Sequence, residues 1–198
     1  METANSVVSN KNNVILEKSK SLFLKHGFKK ITVEEICKEA GVSKMTFYRM
    51  FENKEKVAEK ILVEMINGNT LKYREIMNSD SSFQLKIQQI IRLRETVSYQ
   101  LGENFIKDLM SLPDSPLKTI FEEQQKKGYK ELARDLIKAQ KAGLIRNDIK
   151  PEFILFMLDD MNSKLKDKKF TRLYNNIQDA IMDLTNFFFY GIMTNRVH

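Results

Sequence analysis

The spacing of helix-starting residues between Thr32 and Lys54 constrains this chain more than any other feature. Thr32-Val33-Glu34-Glu35 has the form of a capping box: the Thr hydroxyl accepts from the backbone N–H three residues on, and Glu35 reaches back to the first N–H. The helix that starts there has to stop near Ala40, because Gly41 offers the left-handed conformation that closes a helix. Ser43 then caps a third helix ending near Met50, and Asn53 caps a fourth that continues well past Val63. Upstream, Val14, Ile15, Leu22 and Phe23 share a face with the small Ser19, which predicts a first helix from Asn13 to the His26-Gly27 stop. Residues 1 to 12 are polar and read as a tail that frays.

The rest of the chain is also helical in pattern. Seven Gly and three Pro in 198 residues leave few obligatory breaks, and a Lys, Glu, Leu, Ile, Met and Phe-rich composition favours helix over strand. Segments 82–100, 103–111, 116–141, 151–166 and 170–193 are predicted helices, punctuated by Pro113, Ser115-Pro116, Gly143 and Lys150-Pro151. Glu122 with Lys126 and Glu123 with Lys127 stand in the supportive i,i+4 order and mark a solvated face. The expected fold is all-α: residues 1–56 form a tail and a three-helix head, joined through the long fourth helix to a second helical domain over 57–198.

Composition removes several functional classes. Cys37 is the single cysteine, so no internal disulfide forms, and no Cys/His cluster stands at metal-ligand spacing. His26 and His198 have no Ser, Cys or acid partner in a catalytic motif, and no Gly-rich phosphate loop is present, so neither catalysis nor a cofactor or metal is expected. Asp159 and Asp160 could attract a cation if they face inward, but of two adjacent acids on a helix at least one should be solvated. The start of the chain lacks a signal-peptide pattern, and the longest apolar run, Phe187 to Met193, is too short to span a bilayer and reads as part of a buried helix. A cytoplasmic protein is expected. The net charge is +7, and eleven Lys/Arg against six Asp/Glu lie between Lys11 and Lys56. Such a basic head suits a polyanion, although a solvated face would look the same.

The head has the requirements of a helix-turn-helix. Two helices crossing closely need a small residue at the crossing, and Cys37, four positions before Gly41, supplies it. Ile36, Ala40, Val42 and Phe47 form the apolar wedge. A thiol so placed is a packing residue before it is a redox sensor. In the third helix Phe47 and Phe51 point inward with Met50, which leaves Lys44, Met45, Thr46, Tyr48 and Arg49 outward. Lys44 and Arg49 can donate to guanine edges or phosphates, Met45 can touch a thymine methyl, and Thr46 and Tyr48 suit phosphate oxygens. Thr32 and Lys54 begin the flanking helices, where helix N-termini favour a phosphate. With Ser43, the cap of the third helix, these are the candidate DNA-contacting residues.

The run Ile31 to Glu55 resembles the signature of the tetracycline-repressor (TetR) family. Lys38-Glu39-Ala40-Gly41-Val42-Ser43, Thr46-Phe47-Tyr48, Phe51 and Asn53-Lys54-Glu55 match it in spacing, while Met45 and Met50 depart from it. The resemblance covers roughly the first sixty residues. It implies a homodimeric transcriptional regulator, a repressor in the family's usual mode, on a near-palindromic operator. It also implies dimerisation through the last two long helices and an effector pocket in the middle ones, with effector binding moving helix four and changing the separation of the reading heads. Phe153, Phe156, Met157, Phe187, Phe188 and Tyr190 then become candidate dimer residues, and Tyr73, Phe83, Tyr99, Phe105, Met110, Phe121 and Tyr129 candidate pocket residues. An interior rich in Met and Phe points to a small hydrophobic or flat aromatic effector. The rival reading is an effector-free DNA-binding protein whose C-terminal half is a protein-interaction module. An empty apolar cavity or an adventitious ligand among the middle helices would favour the sensor, and a closed pocket filled by side chains the module.

Overall fold

A computed structural model describes residues 2–112 and 115–194; Pro113 and His198 lie outside the described residues. Among these there are ten helices and no strand: α1 (Glu2–His26), α2 (Val33–Ala40), α3 (Lys44–Met50), α4 (Lys54–Asn78), α5 (Phe83–Leu101), α6 (Glu103–Ser111), α7 (Pro116–Lys141), α8 (Pro151–Lys166), α9 (Lys168–Thr171) and α10 (Ile177–Ile192). The all-α class and the element order agree with the sequence pattern to within a residue or two across α2 to α8. Two elements differ. α1 begins at Glu2 rather than Asn13, since residues 2 to 12 contain no Gly or Pro to stop a helix growing back from its packed half. The segment read as one helix over 170–193 is broken at residues 172–176, and α10 starts afresh where the Asn176 side chain accepts from the Asp179 N–H at 2.8 Å.

The helices group into two units. The first comprises the described residues of Met1–Asn67 and Gln100–Phe121, the second those of Gly68–Tyr99 and Glu122–His198. α6 is far from α1 in sequence yet belongs to the same unit and packs on it. The first unit's core centres on Ile15, Phe23, Ile36, Phe47, Val57, Leu62, Phe105 and Leu109, all essentially without exposed surface. Phe23 and Phe28 meet edge to face at 5.4 Å between centroids, the arrangement aromatic quadrupoles prefer. Close packing of α6 on α1 depends on Gly102: a Cβ there would stand 2.3 Å from the Leu24 carbonyl oxygen.

The second unit buries Ile87, Ala133, Leu136, Ile145, Ile154, Leu158, Phe188 and Phe189 together. α8 packs on α10. An isolated bridge between Ile145 and Met193 ties the α7–α8 turn to the end of α10, and the Arg146 guanidinium donates to the Gly191 carbonyl at 3.1 Å. Within the apolar run Phe187 to Met193, Phe188, Phe189 and Ile192 are buried, but Phe187 and Tyr190 face outward. No helix among the described residues is long and apolar enough to cross a membrane.

Candidate nucleic-acid interface

α2 and α3 are fixed by local chemistry before any long-range packing. The Thr32 hydroxyl accepts from Glu35 N–H at 3.3 Å, and the Glu35 carboxylate accepts from Thr32 N–H at 2.8 Å, completing the capping box. Those bonds hold the Glu35 carboxyl below its usual range, with the Thr32 backbone contributing most. Gly41 takes φ +63° and lets its own N–H and that of Val42 return to carbonyls of the last turn of α2. Ser43 Oγ accepts from Thr46 N–H at 3.1 Å and starts α3. Asn53 Oδ1 accepts from Lys56 N–H at 2.9 Å and starts α4. Cys37 is buried at the crossing, and burial pushes its thiol pKa up, so the thiolate that redox chemistry needs is disfavoured.

With Phe47 and Phe51 buried, α3 turns Lys44, Met45, Tyr48 and Arg49 outward. These positions lie one turn apart in pairs and so form one face. Met45 is 83% exposed and Tyr48 55% exposed. A thioether left that open on a rigid scaffold has no packing purpose in the isolated chain. Thr46 is half-buried, its hydroxyl 3.0 Å from that of Ser43, so its contact with DNA would be through a shared pair of hydroxyls. Lys44 forms an exposed ion pair with Glu34 of α2, which lowers the Glu34 carboxyl pKa and raises that of Lys44. An exposed pair of this kind orients side chains more than it stabilises the fold.

Two candidate backbone clamps have other work in this structure. The Thr32 N–H is already taken by Glu35. The Lys54 ammonium turns inward, donating to the carbonyls of Phe28 at 3.1 Å, Lys29 at 3.4 Å and Ile31 at 2.8 Å, and stands 4.6 Å from the Phe28 ring centroid. Lys54 is therefore a strut between the α1–α2 turn and the start of α4. The same turn is held from α6, where the Asp108 carboxylate accepts from Lys29 N–H at 2.9 Å and Ser111 Oγ accepts from Lys29 Nζ at 2.9 Å. Sequence reasoning had no signal for these bonds, because their partners are 79 and 82 residues apart.

The structure divides the other candidates. Phe105 is wholly buried in the first unit's core, Met110 is half-buried in α6, and Phe121 packs beside that same core. As a core residue, Phe105 has no surface to offer a ligand. In the second unit Tyr99 is 59% exposed and Tyr129 packs against the core. Tyr73 and Phe83 do line a cleft of about 640 Å³, together with charged residues of α4, α5 and α7. Of the candidate dimer residues, Phe188 is buried, and Met157 packs on the core while keeping part of its surface exposed. Phe153, Phe156, Phe187 and Tyr190 are between 51% and 77% exposed. Asp159 is exposed and Asp160 pairs with Lys164 at 3.8 Å; no metal-binding cluster occurs among the described residues.

The reading-head geometry has a direct consequence for charge. Glu34→Gln is expected to release Lys44 toward a phosphate, raising DNA affinity several-fold and steepening the salt dependence by about one counterion. Titration of labelled duplex at several salt concentrations checks this, and an unchanged slope would show that Lys44 does not reach the backbone.

Comparison with known proteins falls on the same elements. The family description "bacterial regulatory proteins, tetR family" matches residues 15–61, from the packed half of α1 into α4. The HTH-type transcriptional repressor DhaR of Mycobacterium sp. (strain GP1) is 28% identical over 147 residues, covering 71% of this chain and 72% of its own length. Among solved structures, the fatty acid degradation regulator FadR from Bacillus halodurans superposes with a TM-score of 0.68 at 17% identity, covering 91% of this chain and 95% of its own. SmeT, the repressor of the Stenotrophomonas maltophilia multidrug efflux pump SmeDEF, gives 0.67 at 13% identity over 94% and 92% of the two chains. At those identities the structural likeness is one of fold. The family match coincides with the residues that build the reading head, and over residues 15–61 the chain is similar to bacterial regulatory proteins of the TetR family.

Proposed function

We propose that the protein is a homodimeric repressor that reads a near-palindromic operator through α3 and is released when a small molecule binds its C-terminal part. Residues 1–56 carry the reading function and residues 57–198 the effector and dimer functions, in the cytoplasm. The observation that supports this reading best is the outward face of α3, with Met45 and Tyr48 bare on a helix whose other side is locked into the core. Repression is taken from DhaR and SmeT, both described as repressors; a dimer bound upstream of a promoter could instead activate.

Within the face, Arg49 and Met45 are assigned to base edges, Lys44 to a base edge or the adjoining phosphate, and Ser43, Thr46 and Tyr48 to phosphates. Thr32 and Lys54 hold the head in shape. Arg49→Ala is expected to cost about 1–3 kcal/mol at one position per half-site and to relax the preference there. Tyr48→Ala should weaken all sequences alike at unchanged thermal stability, whereas Lys54→Ala should lower the melting temperature as well. Selection of bound sequences from a random duplex pool, with a melting curve for each variant, separates these roles. A Lys54→Ala protein of normal stability would return Lys54 to the DNA-contacting set.

The exposed aromatic residues of α8 and α10 suit a second copy of the chain, because aromatic rings are enriched in protein–protein interfaces. The rival reading, an effector-free protein with an interaction module, calls for a filled interior. The cleft beside Tyr73 and Phe83 is not filled by side chains, which supports the sensor, but its lining is charged as well as apolar.

A further inference from the structure

The cleft in the second unit is not the apolar chamber that the chain's Met and Phe content suggests. Its lining includes the apolar Met77, Phe83, Ala139 and Leu144, but it also brings together four cationic side chains and two carboxylates. Both carboxylates are engaged. Glu131 accepts from Arg74 in a forked pair at 2.7 and 3.0 Å, and its pKa lies below the usual range because of that bond. Asp135 accepts from the Tyr73 hydroxyl at 2.9 Å and stands 3.5 Å from Lys138. Burial, together with the bond to Asp135, pushes the Tyr73 phenol pKa far up, so Tyr73 stays a neutral donor.

Two cations remain without a carboxylate partner among the ion pairs of the described residues. Lys86, half-buried on α5, donates to the Met77 carbonyl at 2.9 Å. An ammonium has three donors, so two are left for a ligand. Arg134 on α7 gives its Nε–H to the Lys130 carbonyl at 3.3 Å, which leaves its two terminal nitrogens to bind. The lining thus carries a surplus of two positive charges, and a partly enclosed site with low-dielectric walls concentrates that field. At about 640 Å³ the space fits a ligand of ordinary small-molecule size.

We propose that this cleft binds an amphiphilic organic anion, whose carboxylate, sulfonate or phosphate group is held by Lys86 and Arg134 and whose apolar body lies on Met77, Phe83 and Leu144. The proposal rests on the sensor reading above and narrows its effector from a hydrophobic molecule to one that also carries negative charge.

A matched pair of fluorescent molecules tests it on the full-length protein: 1-anilinonaphthalene-8-sulfonate and its uncharged parent, N-phenyl-1-naphthylamine. The sulfonate should bind at least about tenfold more tightly than the parent. Lys86→Met and Arg134→Ala should each remove most of that preference while leaving binding of the parent unchanged. Arg134 is exposed, so its variant should fold normally, and a melting curve confirms this; Arg134→Glu should turn the preference against the sulfonate. Equal binding of the two molecules, or sulfonate binding indifferent to Arg134→Ala and Arg134→Glu, overturns the site. Operator affinity with and without the sulfonate is measured in parallel. Cleft binding that leaves operator affinity untouched would keep the anion site and defeat the sensor reading, so the two fail separately.

Discussion

A chain carrying Phe187→Glu and Tyr190→Glu is expected to sediment as a folded monomer and to lose operator binding by about a hundredfold or more. α10 is two-sided: Ile181, Thr185, Phe188, Phe189 and Ile192 are buried, while Phe187 and Tyr190 are 77% and 65% exposed. On α8, Ile154 and Leu158 are buried, whereas Phe153 and Phe156 point out with ring centroids 6.5 Å apart. Covering a large apolar side chain is worth about 1.5–3 kcal/mol, and burying an unpaired carboxylate in its place is strongly unfavourable. Because the changed side chains are exposed in the single chain, the fold should survive, which circular dichroism can verify. The loss at the operator follows from linkage, since two half-sites held on one dimer gain about 10²–10⁴ over one. A variant that remained dimeric would place the interface elsewhere on the molecule.

The second large effect concerns Gly102→Ala. At φ +67° and ψ 148° the backbone sits in a region that only glycine occupies readily, and the added Cβ would stand 2.3 Å from the Leu24 carbonyl oxygen. The backbone strain costs about 1–3 kcal/mol, and relieving the clash costs a similar amount. We expect a destabilisation of about 3 kcal/mol or more and a melting temperature lower by about 10 °C or more. Operator binding should fall with it, because Asp108 and Ser111 of α6 hold the turn that precedes α2. Gly128→Ala is the matched control: it lies within α7, nothing stands within 4 Å of its added Cβ, and alanine should be neutral or stabilise by about 0.5–1 kcal/mol. Equal melting temperatures for Gly102→Ala and the native chain would mean that α6 does not rest on α1 as described.

What could be read from the sequence was what is decided locally. Thr32 with Glu35, Gly41, Ser43 and Asn53 each bond within three or four residues, so the head's helix boundaries were visible before any packing was known. Cys37, Phe47 and Phe51 followed from helical periodicity. Lys54 shows the limit: its place at a helix start suggested a phosphate, but its ammonium instead meets carbonyls 23 to 26 residues away. The grouping of α6 with α1 was hidden for the same reason. Phe105 looked like a pocket residue because an aromatic on a middle helix carries no mark of which core it joins. The break before α10 was a missed local signal, since Asn176 with Asp179 is an ordinary cap. The cleft's charge was also missed, because Lys86 and Arg134 reach the same cleft from helices distant in sequence.

Operator recognition by the proposed dimer depends on α3 as its DNA-reading element. The most direct measurement is fluorescence anisotropy of a duplex selected from the organism's own promoter DNA, titrated with native protein and with Arg49→Ala at salt concentrations from about 50 to 200 mM. The predicted result is two chains per duplex, affinity falling by about 10³–10⁵ across that range as phosphate contacts release counterions, and loss of discrimination against a mutated half-site in the Arg49→Ala protein. Binding that ignores salt, or discrimination that survives Arg49→Ala together with Lys44→Ala and Met45→Ala, would contradict it.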